Sequence, residues 1–403
     1  MKKKLDFIYS NKKYLWMLAG GDMQLLTAKI AKKNKYNLIV TDRNKKAACA
    51  KIADKFFDID IVDFRKNYQI IKKFNLQICG IFTIASDCHL IVNRLAKSLG
   101  LHHTPLFVSR ICKNKIKTRK FLKTFFIQPK SFLIKNYREY KKRVLEINCD
   151  YVIKHLNLSG SKGFREFPKN FILNQNFFKK IKTGMKNSDG ILIEEKIKKS
   201  SDAAFSEMSA ETIWQNGKII YFNCVDRIFS RDLKNLNLSK KNFFSNVKEG
   251  YEIGHINPST LSKIKIQEIK KIMQKLGAYL GYKKFKACHV LKADIFFSDK
   301  GPIILEITPR LSGGYDSTGS SFIRGIRLSE AILKICQKQL FSKSDLSFFF
   351  KPNKKRVLVI SKYLRNKRLF YLDSAYTNLK KSIKVISNKI KMNQTIKNEQ
   401  VKY

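Results

Sequence analysis

At 403 residues, the chain is too long for one ordinary core and points to roughly two to four domains of ~100–200 residues each. Hydrophobic residues make up 44 %, enough for packed cores, and no apolar run approaches the ~20 residues of a bilayer helix, so a globular protein with no membrane partner is expected. The formal charge of +51, from 82 Lys and Arg against 31 Asp and Glu, argues less for a nucleic-acid partner than its size suggests: the lysines run along the whole length without a clustered basic motif, and A/T-rich codons for Lys, Asn and Ile are a sufficient cause.

The first ~110 residues read as alternating strands and helices. The chain opens with lysines, as a signal peptide does, but the apolar run Tyr14–Gly20 is short and Asp22 follows it, so a buried first strand is expected. Leu15–Ala19 ends in Gly20-Gly21, Gln24–Lys33 has helical spacing, and Asn37–Val40 is a second strand closed by Thr41-Asp42. A helix over Ala47–Lys55, a strand over Phe57–Ile61, a strand over Ile78–Ile84 and a helix over Cys88–Leu99 complete a β-α-β alternation that implies an open parallel sheet. Gly100, Pro105 and the polar stretch Lys113–Lys117 mark a boundary.

Beyond it, Lys115–Phe125 is a helix, and Ser131–Ile134, Tyr151–Lys154 and Ile191–Glu195 are strands. Met208–Trp214 and Lys218–Cys224 form a hairpin around Asn216-Gly217. Leu261–Leu280 is a helix, Val290–Phe297 and Ile303–Ile307 a hairpin around Lys300-Gly301, and Phe322–Cys336 a helix. Strands at Arg356–Ile360 and Leu369–Leu372 precede a polar end. The eight cysteines contain no C-x-x-C pair and sit among apolar neighbours, so free thiols in a reducing cytoplasm are expected.

Four segments carry chemistry. In IILEITPRLSGG (303–314) an apolar strand delivers Glu306, with Thr308, Pro309, Arg310 and a Ser-Gly-Gly turn behind it. Asp294 lies twelve residues earlier in KADIFF, so a short hairpin brings two carboxylates onto one face of adjacent strands. Their mutual repulsion suits a divalent metal that also bridges nucleotide phosphates; two solvated strand-end carboxylates are the plain alternative. LNLSGSKGF (156–164) follows a strand ending in Lys154, and small residues there let amides approach phosphate oxygens, or simply make a hairpin turn. Lys115 opens a helix. Finally, ILIEEKI (191–197) and SEMSAETIWQNGK (206–218) offer a strand end with paired glutamates, whose backbone suits an adenine ring, then Glu207 and Glu211, which suit ribose hydroxyls; a solvated strand face is the plain alternative.

Taken in this order, these pieces resemble the ATP-grasp superfamily over roughly residues 14–335. The resemblance implies a parallel Rossmann-like domain over 1–108, then an α+β two-lobed ATP-grasp domain with its small lobe over 109–190 and its large lobe over 191–340, and a small C-terminal subdomain and polar tail over 341–403. It implies that Lys115 and Lys154 hold nucleotide phosphates and that Ser159, Gly160, Ser161 and Gly163 belong to the phosphate lid. Glu194, Glu195 and Ile197 match the adenine hinge, Glu207 the ribose carboxylate, Asp294 and Glu306 the metal carboxylates, and Arg310 the arginine on the transferred phosphoryl group. Thr308 stands where such proteins commonly carry a metal-ligating asparagine, and its hydroxyl still offers an oxygen.

The implied activity is a ligase that uses ATP and magnesium, or manganese in its place, to activate a small-molecule carboxylate and join it to an amine. Dimers are common among its relatives. Enzymes of the same fold that carboxylate or phosphorylate, a nucleotide-binding protein without catalysis, and a basic nucleic-acid-binding protein are the rival readings. His255, His289 and Arg227 are candidates for the acceptor pocket, while Arg324 and Arg327 read as a solvated helix face.

Overall fold

The protein was analysed as a computed structural model that describes residues 13–74, 76–156, 163–183, 190–229, 231–232, 252–364 and 367–373. Four parallel strands, β1 (Tyr14–Leu18), β2 (Asn37–Thr41), β3 (Lys55–Phe57) and β4 (Ile78–Phe82), form the first sheet in the order β3-β2-β1-β4. Their near-continuous apolar runs fit a sheet covered on both faces. Leu15 and Met17 pack on one side with α1 (Leu25–Lys33), whereas Trp16 and Leu18 pack on the other with α3 (His89–Ser98). Asp42 accepts from the Gly20 amide at 2.8 Å and from Asn44 at 2.9 Å, and Asn44 accepts from Lys46 at 3.0 Å. These side-chain turns use up the chain after β2. The helix expected over Ala47–Lys55 is therefore only a 3-10 turn at Ala48–Lys51, and the next strand starts at Lys55 rather than Phe57. A helix α2 (Phe64–Phe74) that the sequence reading passed over follows.

Two helices, α4 (Leu106–Lys113) and α5 (Lys115–Phe125), lead into a small antiparallel sheet. Asn114 caps α5 by accepting from the Lys117 amide, which fixes where Lys115 leaves the helix start. The sheet contains β5 (Ser131–Ile134), β6 (Tyr151–His155), β7 (Arg165–Phe167) and β8 (Ile191–Glu195) in the order β5-β8-β6-β7. Helices α6 (Tyr137–Leu145) and α7 (Gln175–Thr183) supply Tyr140, Val144, Phe178 and Ile181 to its core. Since β8 belongs to this sheet, the lobe boundary set at residue 190 moves past Glu195.

The third sheet has seven strands in the order β13-β12-β9-β10-β11-β14-β15. These are β9 (Glu207–Gln215), β10 (Lys218–Phe229), β11 (Glu252–Asn257), β12 (Cys288–Ser298), β13 (Gly301–Thr308), β14 (Val357–Leu364) and β15 (Lys367–Asp373). The β9–β10 turn uses positive φ at Asn216 (48°) and Gly217 (81°), the pairing that a two-residue hairpin needs. On one face Met208, Ala210, Leu291 and Ala293 pack under the long helix α8 (Lys263–Tyr279). On the other, Ile213 and Val290 join the core of the parallel domain, together with α9 (Leu328–Cys336). The expected single helix over Phe322–Cys336 is broken: a π turn at Asp316–Ser320 runs into a short turn, and Gly325 takes a φ of +84° before α9 begins. The segment after residue 340 is not a separate subdomain, because β14 pairs with β11 and Phe341 and Phe349, the latter on α10 (Lys343–Phe350), enter the first core. The polar tail beyond residue 373 lies outside the described residues. Among the described residues no helix is long and apolar enough to cross a membrane.

Candidate active site

Strand alternation builds the site. Glu207, Ser209 and Glu211 alternate along β9, Lys292 and Asp294 along β12, and Glu306 and Thr308 along β13. Asp294 stands directly opposite Glu306 in the β12–β13 register, and Lys292 opposite Thr308. Cross-strand neighbours lie about 5 Å apart, so the two carboxylates and the hydroxyl share one patch. The same cavity is lined by Arg227 and His255, which are register partners on β10 and β11.

Cations from three directions offset this acidity. Asp294 meets Lys292 Nζ at 2.7 Å and Arg227 Nη1 at 3.3 Å. Burial alone would raise the Asp294 carboxyl, but these two cations outweigh it and hold the carboxyl below its usual range. Arg227 also binds Glu252 at 2.9 Å and Glu207 at 3.3 Å, and Arg231 meets Glu207 at 2.6 Å. Arg310 pairs with Asp87, which follows the carboxyl end of β4, so the parallel domain contributes directly to the cleft. Burial lowers the Lys115 ammonium; Glu306 and Asp87 act to keep its charge, and Lys154 opposes it. Lys115 is therefore within electrostatic reach of Glu306, Asp87 and Lys154.

Lys154, on β6, donates to Glu194 Oε2 at 2.6 Å, and Arg119 of α5 clamps the same carboxylate. Arg119 reaches on to the carbonyls of Ile304 and Leu305 at 3.2 and 3.0 Å, tying the small sheet to the strand that carries Glu306. Burial disfavours the Glu194 charge, yet its two cations hold the carboxyl well below the usual carboxylate range. The Glu195 and Lys196 amides are engaged within the lobe, by Lys130 and Asp150 carbonyls at 2.9 and 2.8 Å, and Ile197 lies half-buried just beyond. Gly163 has a φ of +75°, and a Cβ there would stand 2.1 Å from His155 Cδ2, so only glycine fits. Ser159, Gly160 and Ser161 lie outside the described residues.

The donor set fits a hard divalent cation. Asp294 and Glu306 face each other, and Thr308 Oγ1 is buried with no hydrogen-bond partner. Two carboxylates and a hydroxyl leave about half of an octahedral shell to phosphate and water. Among the described residues no group of three or more His, Cys, Asp or Glu side chains is arranged to hold a metal by itself.

No family model matches the sequence, and no curated protein matches it. Solved structures do match in shape. Phosphoribosylglycinamide synthetase from Anaerococcus prevotii aligns over 94 % of this chain and 98 % of its own, with a TM-score of 0.65 at 16 % identity. L-amino acid ligase from Bacillus licheniformis aligns over 95 % and 97 %, with a TM-score of 0.67 at 13 % identity. N5-carboxyaminoimidazole synthetase from Staphylococcus aureus, complexed with ADP, aligns over 95 % and 98 %, with a TM-score of 0.66 at 12 % identity. The chain has the ATP-grasp fold.

In this ATP-grasp frame, the expected site residues fall into three groups. Asp294, Glu306, Thr308 and Arg310 line one cleft with Asp87, Lys115 lies within electrostatic reach of Glu306 and Asp87, and Lys154 stands on the small sheet paired with Glu194. Glu194, Glu195 and Ile197 lie at the end of β8, where the Glu194 side chain serves as counterion to Lys154 and leaves only the main chain for the hinge. Glu207 is held by two arginines.

Arg227 and His255 line the cleft as expected, but His289 does not. It lines a second cavity behind Pro309 with His89, His102 and His103. Arg324 is no solvated cation: it is buried and donates to the Asn223 side chain at 3.1 Å, whereas Arg327 is half-buried and pairs with Glu330 at 3.6 Å. Sequence reasoning missed Asp87, Lys292, Glu252 and Asp316 in the cleft. Lys292 was legible as the residue two before Asp294, and Asp87 as a carboxylate just past a parallel strand's carboxyl end, where ligands of open α/β sheets bind.

Proposed function

We propose that the protein is an ATP-dependent carboxylate–amine ligase. The observation that carries the reading is the Asp294–Glu306 pair on neighbouring strands, lining one cleft with Thr308 and Arg310, with Lys115 in electrostatic reach of Glu306. Adenine lies at the end of β8. With the Glu195 and Lys196 amides engaged, the base meets the Glu195 carbonyl and the Ile197 amide. Glu207 accepts from ribose hydroxyls. Lys115 and Lys154 hold the phosphates, and the lid over them comprises Ser159, Gly160, Ser161 and Gly163. A magnesium ion, or manganese, held by Asp294, Glu306 and Thr308 would supply charge neutralisation on the phosphate oxygens.

The substrate carboxylate attacks the γ-phosphorus, the bond to ADP breaks, and Arg310 offsets charge on the transferred group. An amine then attacks the acyl carbon and phosphate leaves. Closure of the lid keeps water from the acyl phosphate in between. Free thiols at all eight cysteines support a reducing cytoplasm as the setting, and a homodimer is the assembly that the resemblance favours. The test is a screen of amino acids and small carboxylic acids, each with and without added amine, for ADP and phosphate release. Release that requires one acid together with an amine is expected. Phosphate release indifferent to every amine would replace the ligase with a phosphorylating or carboxylating enzyme.

A further inference from the structure

Both oxygens of Asp294 already face a cation. Lys292 Nζ stands 2.7 Å from Oδ1, without hydrogen-bond geometry, and Arg227 Nη1 stands 3.3 Å from Oδ2. Asp294 and Lys292 are both buried and line the cleft with Thr308 and Glu306. A metal ion needs a lone pair that no ammonium holds. A divalent cation and an ammonium on one carboxylate also repel each other. For Asp294 to ligate metal, one resident cation has to give way.

Arg227 is the fixed one. Its guanidinium donates to Glu252 Oε2 at 3.1 and 2.9 Å and to Glu207 Oε2 at 3.3 Å, so it is tied to carboxylates on three strands. Lys292 makes no other ion pair among the described residues. Its ammonium rides on a flexible four-carbon stem and has no preferred plane.

A second partner for that ammonium lies one strand inward. Glu211 on β9 stands directly opposite Lys292 on β12, and such cross-strand neighbours lie about 5 Å apart on one face. Glu211 Oε1 is fixed by the Ser312 amide at 2.6 Å and by Ser317 Oγ at 3.0 Å. Its Oε2 is buried with no hydrogen-bond partner, a state that native proteins seldom leave unexplained. Burial disfavours the Glu211 charge, and Lys292 acts to favour it.

We propose that Lys292 caps Asp294 only while the metal site is empty: it yields the carboxylate to the divalent cation and crosses to Glu211 Oε2. The exchange rests on the proposed ATP site, since it needs Asp294 to be a metal ligand. It accounts for two observations at once, a metal carboxylate capped on both oxygens and a buried carboxylate oxygen with no donor. Before loading, Lys292 offsets the repulsion between Asp294 and Glu306; after loading, it offsets the charge on Glu211. Lys292 is thus a positioning residue that makes metal entry compete with an internal cation.

The test is a double-mutant cycle read by manganese binding. Free Mn2+ is counted by electron paramagnetic resonance, with the full chain and ADP present and the binding to ADP alone subtracted. The proteins are the wild type, Lys292→Met, Glu211→Gln and the double variant; glutamine keeps the oxygen that Ser312 and Ser317 hold. Lys292→Met should bind Mn2+ at least about tenfold more tightly than the wild type, because no ammonium has to leave Asp294. Glu211→Gln should bind it at least about tenfold more weakly, because the displaced ammonium loses its second partner. In the Lys292→Met background, Glu211→Gln should change the affinity less than about twofold, since the two residues act as one unit. Equal weakening by Glu211→Gln in both backgrounds, or no gain in Lys292→Met, would show that Lys292 stays on Asp294 and would overturn the proposal while leaving the ATP site intact. No Mn2+ bound by the wild type, or wild-type affinity in Asp294→Asn, would remove the metal assignment behind the proposed function, and the exchange with it.

Discussion

Glu194 shows how much one side chain determines here. Placed at the last but one position of an apolar strand, it read as part of an adenine hinge, where only main-chain atoms matter. Its carboxylate instead joins Arg119 and Lys154, and through Arg119 it locks the small sheet to β13. A buried charge that loses its partner is costly, so Glu194→Gln should destabilise the protein by about 3–5 kcal/mol. The same change should weaken ATP binding, since Lys154 loses the oxygen that holds it at 2.6 Å. Thermal unfolding and nucleotide titration measure the two effects. A variant with wild-type ATP affinity would show that Lys154 needs no positioning. This partnership was illegible beforehand because it joins residues 40 and 75 positions apart on separate elements. Asp294 and Glu306 were legible because a short hairpin fixes their register locally.

At the scale of elements, the strands near the site fell where alternation and turn chemistry put them. The β12–β13 hairpin, β9 and helix α5 agree with the sequence reading closely, whereas β10 runs past the expected end at Cys224 to Phe229 and so carries Arg227. The failures lie where a single residue redirects the backbone, by a side-chain hydrogen bond or by a positive φ. Asp42 and Asn44 consume a helix, and Gly325 splits one. Helices α2 and α6 are so rich in lysine and arginine that their apolar stripes are narrow.

Helix α8 supports the site from behind, and its contact with the sheet depends on Gly277. A methyl group there would stand 2.1 Å from Trp214 Cζ2. Trp214 is buried, and its indole Nε1 donates to Thr212 Oγ1 at 3.0 Å, so the ring has little freedom to move. Gly277→Ala gains about 1 kcal/mol of helix propensity but overpacks the core at a cost of about 1–3 kcal/mol or more. A net loss of about 1–2 kcal/mol is expected in urea unfolding followed by tryptophan fluorescence. A variant as stable as the wild type would mean that α8 can lift from the sheet freely.

Over the whole molecule, the parallel domain and the large sheet meet at one cleft, to which they bring Asp87 and the paired carboxylates. The small sheet, with Lys154 and Glu194, is tied to β13 through Arg119. The net charge of +51 gave no hint of this site, because the acidic residues that matter are few and inward-facing. Such a positive balance does favour the encounter with an anionic nucleotide, most strongly at low salt.

The central claim is that the cleft makes an acyl phosphate, and isotope transfer tests it most directly. A substrate carboxylate labelled with oxygen-18 should release phosphate carrying one labelled oxygen for each amide formed. Phosphate without label, alongside amide formation, would contradict the account.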